Sequence, residues 1–116
     1  MPHIVIEHSS EGHAAFDVVA LMRALHDAAA GTGVVHAADL KVRAMAFENY
    51  LVGGKRDGFC HASLYLLEGR TPEQKVMLSE ALRAAMVRLM PHTTSLSVDI
   101  RDMDAEAYKK RLLDQA

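Results

Sequence analysis

The sequence predicts an α+β fold in which a strand–helix–strand unit occurs twice, giving a four-stranded sheet with both helices on one face. Apolar and polar residues alternate in four short segments, as in half-buried strands. Within each unit the two strand segments are separated by a segment whose apolar residues recur at helical spacing. A glycine-rich stretch, residues 53–58, divides the two units.

Length and composition limit the possible classes of protein. The 116 residues, 50% of them hydrophobic, fit one domain over 1–116 with a pseudo-repeat of about 2–52 and 59–103. The net charge of −2 gives no general attraction to nucleic acid or anionic membranes. The single cysteine, Cys60, excludes an internal disulfide framework. No apolar run nears the roughly 20 residues of a membrane span, and no signal peptide is recognisable, so we expect a cytoplasmic protein.

The first unit begins with a strand over 3–8, in which Ile4 and Ile6 share one face. A helix is expected over about 14–30, ended by the glycines of 31–33 because glycine suits the left-handed position after a helix. Its expected apolar stripe comprises Ala15, Val18, Val19, Met22, Leu25 and Ala29.

The second strand is expected over about 40–52. Its outer face carries Met45, Phe47 and Leu51, which are poorly suited to water. Because two helices on one side leave the other face of the sheet uncovered, association of subunits would cover these residues.

The second unit has the clearest local signal. After a strand over 59–67, Thr71 is a helix N-cap, Pro72 occupies the first helical position and Gln74 completes a capping box. The expected core and cap residues of this helix are Leu78, Ala81, Leu82, Ala85 and Leu89, together with Met77, Met86 and Met90. A last strand over about 95–101 and a tail, either a short helix or a docked arm, complete the chain.

Pro2 is the first candidate for chemistry. Initiator methionine is generally removed before a small residue, which would leave the Pro2 nitrogen as a free secondary amine. An α-amine titrates near neutral pH and suits general acid–base catalysis, whereas the same nitrogen is an inert amide while Met1 remains. The alternative is that Pro2 is an ordinary second residue.

Three cations form the second group of candidates. Arg70 lies in a strand-to-helix turn beside a helix N-terminus, where an anion would be favoured. Lys41 and Arg43 share one strand face and would bind a carboxylate or stabilise an enolate oxygen. The alternatives are a surface loop for Arg70 and a solvated edge strand for the other two.

Other reactive residue types form no recognisable site in the sequence. The seven histidines show no zinc-binding spacing, so no metal is expected. Cys60 is expected to be a small buried residue, and His61 a hydrogen-bonded one.

Several of these features together resemble the tautomerase superfamily. They are Pro2 followed by a short strand, and the phrase Leu67-Glu68-Gly69-Arg70-Thr71-Pro72-Glu73-Gln74-Lys75 opening an amphipathic helix. In length and layout the chain resembles the 5-carboxymethyl-2-hydroxymuconate Δ-isomerases, over approximately residues 2–100. One departure is Lys41, which stands where the resemblance leads us to expect arginine. Another is Ser97, which stands in the last strand where short tautomerases place a basic residue.

The resemblance implies a homotrimer that transfers a proton within a dienol acid of aromatic catabolism, without a cofactor. It implies that Pro2 is the acid–base residue, that Arg70 holds a substrate carboxylate or oxygen, and that Lys41 or Arg43 supplies a second cation. The substrate would be a small dicarboxylate or tricarboxylate. The alternatives are another activity of this superfamily, such as a promiscuous tautomerase or dehalogenase, and a trimer that binds a small acid without turnover.

Overall fold

A computed structural model describes residues 1–113, and it has the predicted α+β architecture. The helices and strands follow one another as strand, helix, strand, twice over. They are β1 (His3–Ser9), α1 (Val18–Gly31), a short 3-10 helix (Ala37–Asp39), β2 (Lys41–Phe47), β3 (Phe59–Leu67), α2 (Pro72–Leu89) and β4 (Ser95–Met103). No helix within the described range is long and apolar enough to span a bilayer.

The four strands form one mixed sheet in the order β2-β1-β3-β4. β1 pairs in parallel with β2 and β3 pairs in parallel with β4, while β1 and β3 run antiparallel. His3 therefore lies opposite Lys41 on one side and Tyr65 on the other. One end of the sheet is consequently formed by the first residues of β1 and β2 and the last residues of β3 and β4. We call it the Pro2 end of the sheet.

Both helices cover the same face of the sheet and form the core with it. Most of the fully or nearly buried apolar side chains come from β1, β3 and the two helices: Ile4, Ile6, Leu21, Leu25, Ala29, Cys60, Ala62, Leu64, Leu66, Leu78, Leu82, Ala85 and Met86. Val35, in the loop after α1, and Met90, the C-cap of α2, complete the set. Val42 and Ala44 of β2 and Leu96, Val98 and Ile100 of β4 pack against them. Burying such a side chain stabilises the fold by about 1.5–3 kcal/mol for the larger residue types.

Helix α2 begins as the sequence predicts. The Thr71 hydroxyl accepts a hydrogen bond from the Gln74 backbone N–H at 3.2 Å, and the Thr71 N–H donates to the Gln74 side chain at 2.9 Å. This reciprocal capping fixes the direction in which the chain leaves β3. It therefore also fixes the preceding residue, Arg70, at the end of the sheet.

Two boundaries differ from the sequence prediction. Helix α1 begins at Val18 rather than near residue 14, because the Asp17 carboxylate caps the helix by accepting from the N–H groups of Val19 and Ala20. Strand β2 ends at Phe47 rather than near residue 52. The chain leaves the sheet there and turns back through Gly53 and Gly54, both at positive φ.

The prediction of which helix residues face the core was also partly wrong. Leu21, absent from the expected stripe, is fully buried, whereas Val19 is 64% exposed. Leu21, Leu25 and Ala29 are spaced by four residues, so they define the buried face once the helix begins at its observed cap. In α2, Met77 is half exposed, while Met86 and Met90 are buried as expected.

The second face of the sheet is uncovered within the monomer. It carries the side chains that alternate with the core residues, including His3, Arg43, Met45 and His61. Met45 is 62% exposed, and Leu51 in the following loop is 69% exposed. Such exposure of large apolar side chains fits the expectation of a subunit contact.

Candidate active site

Pro2 directly precedes β1 and is buried. Its carbonyl oxygen accepts a hydrogen bond from the Lys41 backbone N–H at 3.1 Å. The pairing of β1 with β2 thus continues one residue before β1. As a result, the first residues of the chain are held in the middle of the sheet rather than at an outer edge.

Cations surround the amino terminus. Burial lowers the pKa of the Met1 amine, and the nearby positive charges of Arg70, Lys110 and Lys41 lower it further, while the Asp39 carboxylate opposes them. A positive charge on the amine is disfavoured in such surroundings, so its basic, neutral form is favoured. Two of these cations, Arg70 and Lys41, are residues selected from the sequence.

Arg70 reaches the amino terminus from the turn between β3 and α2. Gly69 makes this turn possible, since it adopts a φ of 117° that other residues rarely reach. The half-buried guanidinium donates to the carbonyl oxygens of Leu67 at 3.3 Å and Val34 at 3.4 Å. These contacts hold the charge at a fixed place but use only part of its five N–H donors.

Lys41 and Arg43 lie on one strand but meet different surroundings. The Lys41 ammonium donates to the backbone oxygen of Asp39 at 3.0 Å, beside the amino terminus. The Arg43 guanidinium lies 3.2 Å from Nδ1 of His3, on the uncovered face of the sheet. Burial and the charges of Arg43 and Lys41 lower the pKa of His3, so its ring is favoured in the neutral form.

A cavity of about 420 Å³ adjoins Arg43 on the uncovered face. It is lined by His3, Val5, Arg43, Tyr65 and Met103. His3, the first residue of β1, directly follows Pro2, so the cavity and the amino terminus lie at the same end of the sheet. The structure thus places Arg43 along the wall of this cavity and places Arg70 and Lys41 around the amine.

Four further residues at this end were missed by the sequence analysis. They are His3, Asp39, Tyr108 and Lys110. The hydroxyl of Tyr108 lies 2.9 Å from Nε2 of His3, and the Lys110 ammonium lies 3.8 Å from a carboxylate oxygen of Asp39. The only hint in the sequence was the basic character of the tail, which gave no indication of where the tail would lie. The tail forms no helix; it is the docked arm of the two expected possibilities.

A serine–histidine pair elsewhere has a structural role. Nε2 of His13 lies 2.7 Å from the Ser9 hydroxyl and 3.0 Å from the Ser9 carbonyl oxygen, which can only accept. This nitrogen therefore carries a proton and cannot act as a base toward the serine. The Ser9 hydroxyl is fully buried and donates to the Glu11 backbone at 2.6 Å. The pair fastens the loop before α1 to the sheet.

Cys60 and His61 show the expected structural roles. Cys60 is fully buried, and its burial raises the pKa of the thiol to about 12. Nδ1 of His61 lies 2.6 Å from the Ser97 hydroxyl. Between residues 1 and 113, no group of three or more histidine, cysteine, aspartate or glutamate side chains is placed to hold a metal ion.

Comparison with known proteins gave one family and many related structures. The family model described as 5-carboxymethyl-2-hydroxymuconate isomerase matches residues 2–115. A search of curated protein sequences gave no significant match.

The chain is similar to several solved structures. A 5-carboxymethyl-2-hydroxymuconate isomerase from Deinococcus radiodurans R1 is 20% identical, with a TM-score of 0.81 over 95% of this chain and 88% of that one. A fused 4-OT symmetric trimer is 21% identical, with a TM-score of 0.79 over 97% of this chain and 92% of that one. A 5-carboxymethyl-2-hydroxymuconate delta-isomerase is 22% identical, with a TM-score of 0.76 over 97% and 88%. At these identities the similarity establishes the fold.

Proposed function

The chain belongs to the 5-carboxymethyl-2-hydroxymuconate isomerase family, and from this membership we propose that it is an isomerase that moves a proton within a dienol acid of that type. The observation that carries the proposal is the amino terminus: Pro2 is buried, and the positive charges of Arg70, Lys110 and Lys41 lie near the amine. An amine in such surroundings is a base, and the cations are suited to an anionic substrate.

The proposed mechanism begins after Met1 is removed, when the Pro2 nitrogen is a secondary amine. In its neutral form it accepts the proton of the substrate enol. The negative charge that develops on the dienolate oxygen is stabilised by the fixed cations, with Arg70 as the main contact. The protonated amine then delivers the proton to a carbon atom further along the conjugated chain. The proton returns to the substrate, so the step balances without a cofactor.

Lys41 and Arg43 complete the proposed site. Lys41 lies beside the amino terminus and supplies a second positive charge there, although an ammonium lacks the planar two-pronged geometry of a guanidinium. Arg43 adjoins the cavity on the uncovered face and is suited to the far end of an extended diacid. Cations at both ends would orient the substrate toward the amine.

The proposal includes a homotrimer in the cytoplasm, acting in aromatic catabolism. The similar fused 4-OT protein is a symmetric trimer. The uncovered sheet face, with Met45 62% exposed, supports association of subunits. A free, fully buried Cys60 is compatible with a reducing compartment.

An ultraviolet assay on material of known mass tests the proposal. Intact-mass measurement first establishes that Met1 is absent. Ketonisation is then followed for 5-carboxymethyl-2-hydroxymuconate, 2-hydroxymuconate and a monocarboxylate dienol. We expect turnover of the acids with two or three carboxylates and little of the monocarboxylate. Binding of the acids without any turnover would contradict the enzymatic proposal and favour a small-acid-binding protein.

Catalysis should continue at pH values below the ordinary pKa of an α-amine. The neutral amine is the base, and the charges that lower the Met1 pKa would act similarly on the amine of Pro2. We therefore expect kcat/KM to rise with pH through a pKa below the ordinary value of about 8, and to fall at lower pH as the amine is protonated. In Arg70→Ala the pH profile should shift to higher pH, because a positive charge that lowers the pKa of the amine is removed. Identical profiles for the two proteins would contradict this role of the cations.

A further inference from the structure

The C-terminal tail, residues 104–113, crosses the Pro2 end of the sheet. It leaves β4, whose end lies beside the end of β3. The Asp104 carboxylate accepts from the N–H groups of Glu106 and Ala107, and the Tyr108 N–H donates to the Asp104 carbonyl, which turns the chain. The tail must then pass from the β4 side of the sheet to the β2 side.

Two contacts anchor the tail along this path. Tyr108 meets β1 at His3, with their rings nearly perpendicular, the centroids 5.9 Å apart and the hydroxyl 2.9 Å from Nε2. Lys110 meets Asp39, immediately before β2. The tail therefore spans the end of the sheet from which Pro2 emerges, and it adds a wall to that end.

Lys110 is positioned as a ligand-binding cation. Lys110 is an exposed residue as a whole, with its side chain 22% exposed, and its ammonium lies 3.8 Å from the nearest Asp39 carboxylate oxygen, beyond a hydrogen bond. Asp39 holds Lys41 on its other side through its backbone oxygen. An ammonium with N–H donors to spare can bind an anion without giving up a strong existing contact.

The substrate class of the family calls for such a cation. A muconate has two carboxylates, and the carboxymethyl group in the family's name adds a third. A buried carboxylate without a partner is strongly unfavourable, so each one requires a cation or hydrogen-bond donors. Arg70, Lys41 and Arg43 are already assigned to the two ends of the dienol acid in the proposed function.

We propose that Lys110 binds the third carboxylate, that of the carboxymethyl group, and so makes the site selective for tricarboxylate over dicarboxylate dienols. The inference rests on the proposed function and refines its substrate class. It assigns the tail the role of a specificity element and leaves proton transfer to Pro2.

Steady-state kinetics with two substrates test the role of Lys110. For Lys110→Ala we expect kcat/KM for 5-carboxymethyl-2-hydroxymuconate to fall about tenfold, mainly through KM. Because Lys110 also lowers the pKa of the amine, both this substrate and 2-hydroxymuconate, which lacks the third carboxylate, are assayed above that pKa, and the ratio of their kcat/KM values should fall about fivefold to tenfold. Lys110→Arg should restore most of the selectivity. Lys109→Ala removes an exposed charge from the adjacent position and should match the wild type on both substrates.

Two results would overturn the inference. One is an equal loss of kcat/KM on both substrates, which would show that Lys110 acts on the amine or on the fold. The other is no loss of kcat/KM on either substrate. Failure of the proposed function itself is distinguishable, because the wild type would then turn over neither substrate. In that event calorimetry with propane-1,2,3-tricarboxylate and pentanedioate replaces kinetics. A preference for the tricarboxylate that disappears in Lys110→Ala supports the inference, and a preference unchanged by the substitution refutes it.

Discussion

Replacing Pro2 with alanine is expected to lower the ketonisation rate of 2-hydroxymuconate-type dienols at least about tenfold, since acid–base catalysis by a positioned group contributes about 10²–10⁴-fold. Alanine after Met1 is also small enough for the methionine to be removed, so an amine remains in the variant. That amine is primary and is no longer held by a ring. The loss therefore measures what the secondary amine and its fixed orientation contribute. Single-substrate kinetics at several pH values provide the measurement.

Two controls make this result interpretable. Because Pro2 is buried, thermal unfolding must show that Pro2→Ala has the stability of the wild type, and size-exclusion chromatography must show the same subunit composition. A wild-type chain with an uncleaved Gly-Ser extension keeps the proline ring but converts its nitrogen to an amide, and we expect this protein to be inactive. Unchanged turnover in Pro2→Ala, or full activity in the extended chain, would refute the mechanism.

Arg70→Ala is expected to reduce kcat/KM about tenfold to a hundredfold, more than Lys41→Ala does. The guanidinium of Arg70 is fixed between the carbonyl oxygens of Leu67 and Val34. It can therefore stabilise developing negative charge without reorganising, whereas the ammonium of Lys41 is a single point charge. The two variants should be compared on one substrate under the same conditions.

Arg70→Lys is the matched control for this prediction. It retains the positive charge but not the planar arrangement of donors, so an intermediate rate would show that geometry as well as charge is used. Since Arg70→Ala also loses two hydrogen bonds to backbone oxygens, worth about 1 kcal/mol each, the unfolding free energy of each variant should be measured. Negligible effects of both Arg70→Ala and Lys41→Ala would show that the substrate binds elsewhere.

The fold was predictable because its local signals agree with its packing. The alternation of Leu96, Val98 and Ile100 and the capping residues Thr71 and Gln74 each specify one element, and the structure forms those elements. The errors lie where one residue decides between similar patterns. Asp17 starts α1 later than the apolar spacing indicates, because its carboxylate satisfies two backbone N–H groups there.

The residues gathered at the candidate site were only partly predictable from the sequence. Arg70 and Lys41 could be selected because each stands at a strand end near a recognisable turn or on a recognisable face. Asp39, Tyr108 and Lys110 could not be selected, because their relevance depends on contacts with residues far away in the sequence. Tyr108 contacts His3 across 105 positions, and no periodicity within the tail indicates such a partner.

The hydrogen bond from the Lys41 N–H to the Pro2 carbonyl has a consequence for the motion of the chain end. Terminal residues usually fray and sample many conformations. Here the parallel ladder between β1 and β2 reaches the second residue of the chain, so its conformational entropy is already lost when the protein folds. A group at that position meets its partner without a further ordering step, which is the condition for a high effective molarity.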